Sequence, residues 1–157
     1  MRNSDRPKPA FKSLALSFEL FNEIGIVAQL ARSQLSDQLP EGLISSHFGI
    51  LNHLIRVADG RMPIDLANAF QVAKTTMTHT LRGLEAHKVI TIKPCPDDGR
   101  CKRVWITDAG CKLREQTVAN VGPELADLLA DIPEQQIQSM IETLTNIRQQ
   151  LDANRNG

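Results

Sequence analysis

The stretch that decides the fold runs from Met62 to Gly110: MPIDLANAF (62–70), QVAKTTMTHTLRGLEAHKVI (71–90) and TIKPCPDDGRCKRVWITDAG (91–110). Pro63 suits the start of a helix, where its missing N–H would have no partner anyway. Leu66, Ala67 and Phe70 then share one face of a short helix over 64–70. Gln71-Val72 makes a turn. From Ala73 to about His87, Met77, Leu81 and Leu84 recur at steps of four and three, a narrow apolar stripe of a second helix. Its other face carries Lys74, Thr75, Thr76, Thr78, His79 and Arg82, with no acid before Glu85.

The next residues change period. Val89–Lys93 and Arg103–Thr107 are β-branched strands joined by a tip with Asp-Gly turn chemistry. Thr107 caps the following helix, and Asp108 is favourable in its first turn. Helix, helix, then a basic hairpin is the order of a winged helix-turn-helix, in which one helix enters the major groove and the hairpin reaches an adjacent groove. That reading explains the threonines. Thr is a poor helix former, but hydroxyls and cations suit phosphates and base edges.

Working outward, Phe18, Phe21, Ile24, Ala28, Ala31 and Leu35 lie at helical spacing in a long helix over about 11–39, which Pro40 and Gly42 end. Ser45 or Ser46 is expected to cap a second helix through about Ala58, with Phe48, Leu51, Leu54, Ile55 and Ala58 inward. Beyond the hairpin a helix runs toward Ala130, with Gly122-Pro123 expected to bend or interrupt it. Pro133 opens a last helix. Its Ile137, Met140, Leu144, Ile147 and Leu151 form a coiled-coil-like seam too short to act alone, whose natural partner is another helix of this chain or of a second copy. The fold class is mostly α with a small β-hairpin wing. Residues 1–10 read as a flexible arm, and 11–157 as one domain: a DNA-binding lobe at about 44–112 between dimerisation helices at about 11–39 and 113–153.

The chain has 157 residues and zero formal net charge, but the charge is unevenly placed. Residues 61–114 hold ten Lys/Arg against five Asp/Glu, whereas 115–157 hold two against seven. The basic segment is the one expected to meet DNA, and the acidic tail is repelled by phosphate. Only 4% of residues are aromatic and none is Tyr, which disfavours base-stacking RNA platforms. Three cysteines, Cys95, Cys101 and Cys111, with no secretory leader, read as free thiols in a reducing, cytoplasmic protein. No unbroken apolar run approaches the roughly 18 residues of a membrane span, so no membrane association is expected. No nucleophile–base pair, phosphate-cradling Gly loop or paired metal-ligand spacing is present. No catalytic role, metal or cofactor is therefore expected; His79, His87, Cys95 and Cys101 lack zinc-site spacing.

From Ser46 to Leu113 the chain resembles the MarR family of bacterial transcription regulators. The carrying residues are Phe48 through Leu54, Asp65-Leu66-Ala67, Thr75-Thr76-Met77-Thr78, Leu81, Leu84-Glu85, Asp97-Asp98-Gly99-Arg100 and Ile106-Thr107-Asp108-Ala109-Gly110. The resemblance implies a homodimeric, ligand-responsive repressor on an inverted-repeat double-stranded operator. It implies DNA contacts from Lys74, Thr75, Thr76, Thr78, His79 and Arg82. Arg100 would enter the minor groove, Asp98 would orient it through a carboxylate–guanidinium contact, and Lys102 and Arg103 would neutralise phosphates. Phe18, Phe21, Ile137, Met140, Leu144, Ile147 and Leu151 fall where dimerisation is implied. His47 and His53 lie near where small aromatic or phenolic effectors bind. The chain departs from the family at His79, where Arg is common, and at Lys88-Val89, where a Gly-apolar pair is usual. Gly83 inside the recognition helix costs about 1 kcal/mol relative to Ala. The alternative is a winged-helix protein-interaction adaptor with no specific DNA site.

Overall fold

Six helices and one hairpin make up the computed structural model, which describes residues 11–96 and 98–155. The arm expected at 1–10 and Asp97 lie outside the described residues. In order come α1 (Phe11–Asp37), α2 (Ser45–Arg56), α3 (Pro63–Phe70), α4 (Lys74–Ala86), β1 (Ile90–Pro94), β2 (Lys102–Ile106), α5 (Asp108–Leu128) and α6 (Glu134–Arg155). The strands pair antiparallel, with Ile90 opposite Ile106 and Pro94 opposite Lys102. The chain divides into two compact units between Asn120 and Val121, inside α5.

The core of the first unit joins α2, α3, α4 and the hairpin. Ile50, Leu51, Leu54, Leu66, Ala67, Met77, Leu81, Leu84, Val89, Ile90 and Val104 are all buried in one cluster. The stripe expected on α4 is the one observed. On α2 the stripe is rotated: Ile50 is 1% exposed and Ile55 is 40% exposed. Ile50 joins Leu51 and Leu54 on the face turned to the cluster, and Ala58 falls beyond the helix end.

The start of α2 also differs from expectation. Its N-cap is Ile44, not a serine. The Ile44 N–H donates to His47 Nδ1 at 3.1 Å, and the Ser45 N–H donates to Ser36 Oγ at 3.0 Å. Side chains three residues on and nine residues back thus satisfy donors that the helix itself cannot. At α5 the expected cap holds, with the Gly110 N–H donating to Thr107 Oγ1 at 3.1 Å. Gly110 is required sterically, because a Cβ there would collide with the Val89 carbonyl oxygen.

Gly122-Pro123 does not interrupt α5. Pro removes one helical bond, and good helix formers in Glu124–Leu128 resume the helix at once. Lys88 takes a left-handed backbone, φ 59°, which accounts for Gly being usual there. Its carbonyl accepts the Thr107 hydroxyl at 2.8 Å, so the turn is held by the residue that follows β2.

One helix bears on the expectation of no membrane association, and the expectation of three free thiols is corrected. Ser13–Asp37 is long and apolar enough to cross a membrane by length and composition alone, one 18-residue window within it having a mean hydropathy of 1.3. Glu19, Asn22 and Glu23 interrupt it, so it holds no unbroken apolar run of that length. Moreover, Cys95 and Cys101 are not free thiols. They form a disulfide across the hairpin, leaving Cys111 free.

Candidate nucleic-acid interface

Burial of Met77, Leu81 and Leu84 turns the opposite face of α4 outward. Lys74, Thr75, Thr76, Thr78, His79 and Arg82 are all exposed on it. Two of the threonine hydroxyls on this helix are occupied. Thr78 Oγ1 donates to the Lys74 carbonyl at 2.8 Å and Thr80 Oγ1 to the Thr76 carbonyl at 3.0 Å. Their hydrogens are satisfied locally, so the exposed Thr78 offers its oxygen as an acceptor and its methyl as an apolar contact, whereas Thr80 is half-buried on the wall of a separate cavity.

The wing is fastened at its base. Asp59 Oδ1 accepts both the Gly60 N–H at 2.9 Å and the Ile106 N–H at 3.0 Å. The Val104 N–H donates to the Arg61 carbonyl at 2.8 Å, so one residue of that segment pairs along β2. Arg103 Nη1 donates to the Gly60 carbonyl at 2.8 Å. Arg103, expected to meet phosphate, thus also ties the wing to the turn before α3. On the inner side, the Ile92 N–H donates to Glu85 Oε1 at 3.3 Å, joining the end of α4 to β1.

At the tip, Arg100 and Lys102 are exposed. Asp98 orders the tip, though not through the Arg100 guanidinium. Its Oδ1 accepts the Arg100 backbone N–H at 2.9 Å, the short i to i+2 contact to which Asp is suited. This leaves the guanidinium without a carboxylate partner among the described residues.

Between α4 and the wing lie two adjoining clefts of about 550 and 340 Å³. Thr78, Pro63 and Lys102 line both; Arg82 adds to the first, Lys74 and Arg100 to the second. The sequence candidates Lys74, Thr78, Arg82, Arg100 and Lys102 are therefore gathered around one trough. Only Glu85 brings an acid to its walls, and that carboxylate is engaged with β1.

A third cavity, of about 460 Å³, opens among α1, α2, α4 and the end of α3. Its walls include Arg32, Leu35, Phe48, Phe70, Thr76 and Met77. His47 and His53, the sequence candidates for effector contact, do not line it. His47 is taken up by the cap of α2 and by Gly83 of α4. Burial, then the His87 and His79 charges, hold its pKa below the ordinary histidine value. His53 stands edge-on to Phe70, with ring centroids 5.5 Å apart, and burial followed by the Arg61 charge lowers its pKa. No sequence signal marks the cavity walls, because they come from four separate helices. Among the described residues no group of three or more His, Cys, Asp or Glu could hold a metal.

No family model matches the chain. Solved structures do. A MarR transcriptional regulator from Methanosarcina mazei Go1 superposes with a TM-score of 0.74 at 19% identity, covering 83% of this chain and 94% of its own. Wild-type MarR from E. coli in its apo form gives 0.67 at 25% identity, covering 82% and 96%. The PcaV transcriptional regulator from Streptomyces coelicolor, in complex with its natural ligand, gives 0.64 at 14% identity, covering 80% and 89%. The fold of this chain, from its long first helix through the wing, is that of the MarR family of transcriptional regulators.

Proposed function

We propose that the protein is a sequence-specific double-stranded DNA-binding transcription regulator that occupies an inverted repeat as a homodimer. The observation that carries the reading is the trough between α4 and the wing, where Lys74, Arg82, Arg100 and Lys102 surround Thr78. Cations at this spacing meet phosphates, while the exposed α4 threonines meet base edges. Arg100, held out by the Asp98 turn, is the residue for the minor groove.

Dimerisation is supported by apolar side chains that one chain leaves open. Phe18 is 76% and Phe21 47% exposed on α1. On α6, Met140, Leu144 and Leu151 are exposed, and Ile137 and Ile147 are partly buried. Covering such side chains is favoured by about 25 cal/mol per Å². Two recognition helices about 34–36 Å apart would then meet successive major grooves.

The reading extends to a ligand-responsive repressor. The third cavity has apolar walls with one cation, Arg32, and suits a small aromatic or phenolic acid. A ligand there touches α1 and α4 together. It would therefore shift the spacing of recognition helices, a change that must come from differential affinity for the two states.

The test is selection from random duplex DNA, followed by anisotropy on the enriched sequence at several salt concentrations. An inverted repeat bound at least ~10³-fold tighter than unrelated duplex is expected. Weak, salt-erased binding with no enriched sequence would replace this reading with a protein-interaction adaptor on the same scaffold.

A further inference from the structure

The wing holds a chemistry that DNA contact does not use. The hairpin register places Pro94 opposite Lys102, so the next pair outward is Cys95 and Cys101. Their Cα atoms are 5.2 Å apart and a disulfide joins them. The Cys95 N–H also donates to the Cys101 carbonyl at 2.9 Å, and the Cys101 N–H to the Asp98 carbonyl at 3.0 Å. The covalent ring therefore encloses the turn that presents Arg100. Both cysteines are only partly buried, which leaves the bond open to a small thiol. Cys101 lines the same cleft as Lys74, Thr78, Arg100 and Lys102, with its sulfur 3.7 Å from Met62 Sδ.

We propose that Cys95 and Cys101 form a reversible thiol–disulfide site whose substrates are low-molecular-weight thiols and disulfides, and that the closed form is the DNA-competent form of the wing. The coupling rests on the DNA-binding reading above. Closing proceeds by two exchanges. One cysteine thiolate attacks an external disulfide, forming a mixed disulfide and expelling one external thiolate. The other cysteine thiolate then attacks the protein sulfur of that mixed disulfide, forming the Cys95–Cys101 bond and expelling the second. Two protein thiols are oxidised, one external disulfide is reduced to two thiols, and the two cysteine protons pass to the released thiolates. Opening is the reverse.

The effect on DNA follows from chain entropy. A closed ring restricts the tip before DNA arrives, so less freedom is lost when Arg100 is ordered in a groove. Opening it leaves the ladder from Ile90–Ile106 to Pro94–Lys102 in place, as well as the Asp59 and Arg103 anchors. Reduction thus loosens the tip without unfolding the lobe.

The experiment equilibrates the full chain in glutathione buffers of graded redox poise. Alkylation and intact mass count the thiols, and anisotropy measures affinity for the selected duplex and for an unrelated one. The closed form should show one thiol, Cys111, and the open form three. The open form should bind the selected duplex about tenfold more weakly, and Cys95→Ser with Cys101→Ser should match it and ignore redox poise. Equal affinity of the two forms would overturn the coupling, and a pair that does not exchange in the folded protein would overturn the site. If neither form prefers any duplex, the DNA reading itself falls and the coupling with it. The thiol count would still decide whether the pair exchanges.

Discussion

The His47 imidazole of α2 fills the space that a side chain at Gly83 of α4 would need: a Cβ on Gly83 would stand 2.8 Å from His47 Nε2. This contact explains a glycine that helix propensity alone disfavours. The ring cannot simply swing away, since its Nδ1 accepts the Ile44 N–H that begins α2. Helix α4 is thereby seated against α2 by a histidine that also caps α2.

Gly83→Ala should therefore forgo the gain of about 1 kcal/mol that Ala brings to a helix interior. In a His47→Ala background the same change should recover it. A thermal or urea double-mutant cycle measures the difference. Equal gains in both backgrounds would show that the ring is not the obstacle.

The same histidine links stability to pH. Burial, then the charges of His87 just past the end of α4 and of His79 on α4, lowers its pKa in the folded protein below 6.5. As pH falls, the unfolded chain takes up the proton first. The contribution of His47 is whole above the unfolded value and is lost as pH drops through the lowered folded value. Melting temperatures at about pH 7.5 and about pH 5 should differ more for the native chain than for His47→Gln. His53, lowered chiefly by burial, acts in the same direction and remains in both proteins.

Lys88 occupies left-handed backbone at φ 59° without the freedom of glycine. Lys88→Gly should raise stability by about 1 kcal/mol, the relief of that strain less the added freedom of the unfolded chain. A fall in the urea midpoint would mean that the lysine side chain makes a compensating contact.

Two arginines of the wing should separate into different phenotypes. Arg100→Ala should weaken DNA binding by about 1–3 kcal/mol with little change in melting temperature, because its guanidinium is exposed. Arg103→Ala should lower stability by about 1 kcal/mol, through loss of the bond to the Gly60 carbonyl. Identical binding losses with identical stability losses would mean that the two side chains do one job.

If the proposed homodimer forms through this seam, Leu144→Glu with Ile147→Glu should give monomer in sedimentation velocity, since charge cannot be covered in an apolar seam. A dimer of unchanged affinity would place the interface elsewhere.

Much of the fold was legible in the sequence because it is local. Met77, Leu81 and Leu84 mark the inward face of α4 by spacing alone, and Pro63, Thr107 and Asp108 mark helix starts by backbone chemistry that any chain obeys. The candidate contacts Lys74, Thr78, Arg82, Arg100 and Lys102 were legible too. Polar residues opposite a buried stripe can only face outward.

Other features were settled by what arrived from elsewhere in the chain. Whether Ile50 or Ile55 is buried depends on how α2 rotates against α3 and α4. The Asp98 carboxylate took a backbone N–H over a guanidinium because the turn closes at that distance. Arg103 found the Gly60 carbonyl, and Cys95 met Cys101, only once strand register was set. Periodicity and capping chemistry act over one or two turns, so the sequence by itself determined the elements and their outward faces. Partnerships between distant residues depend on rotation and register, and these only the packed tertiary structure decided.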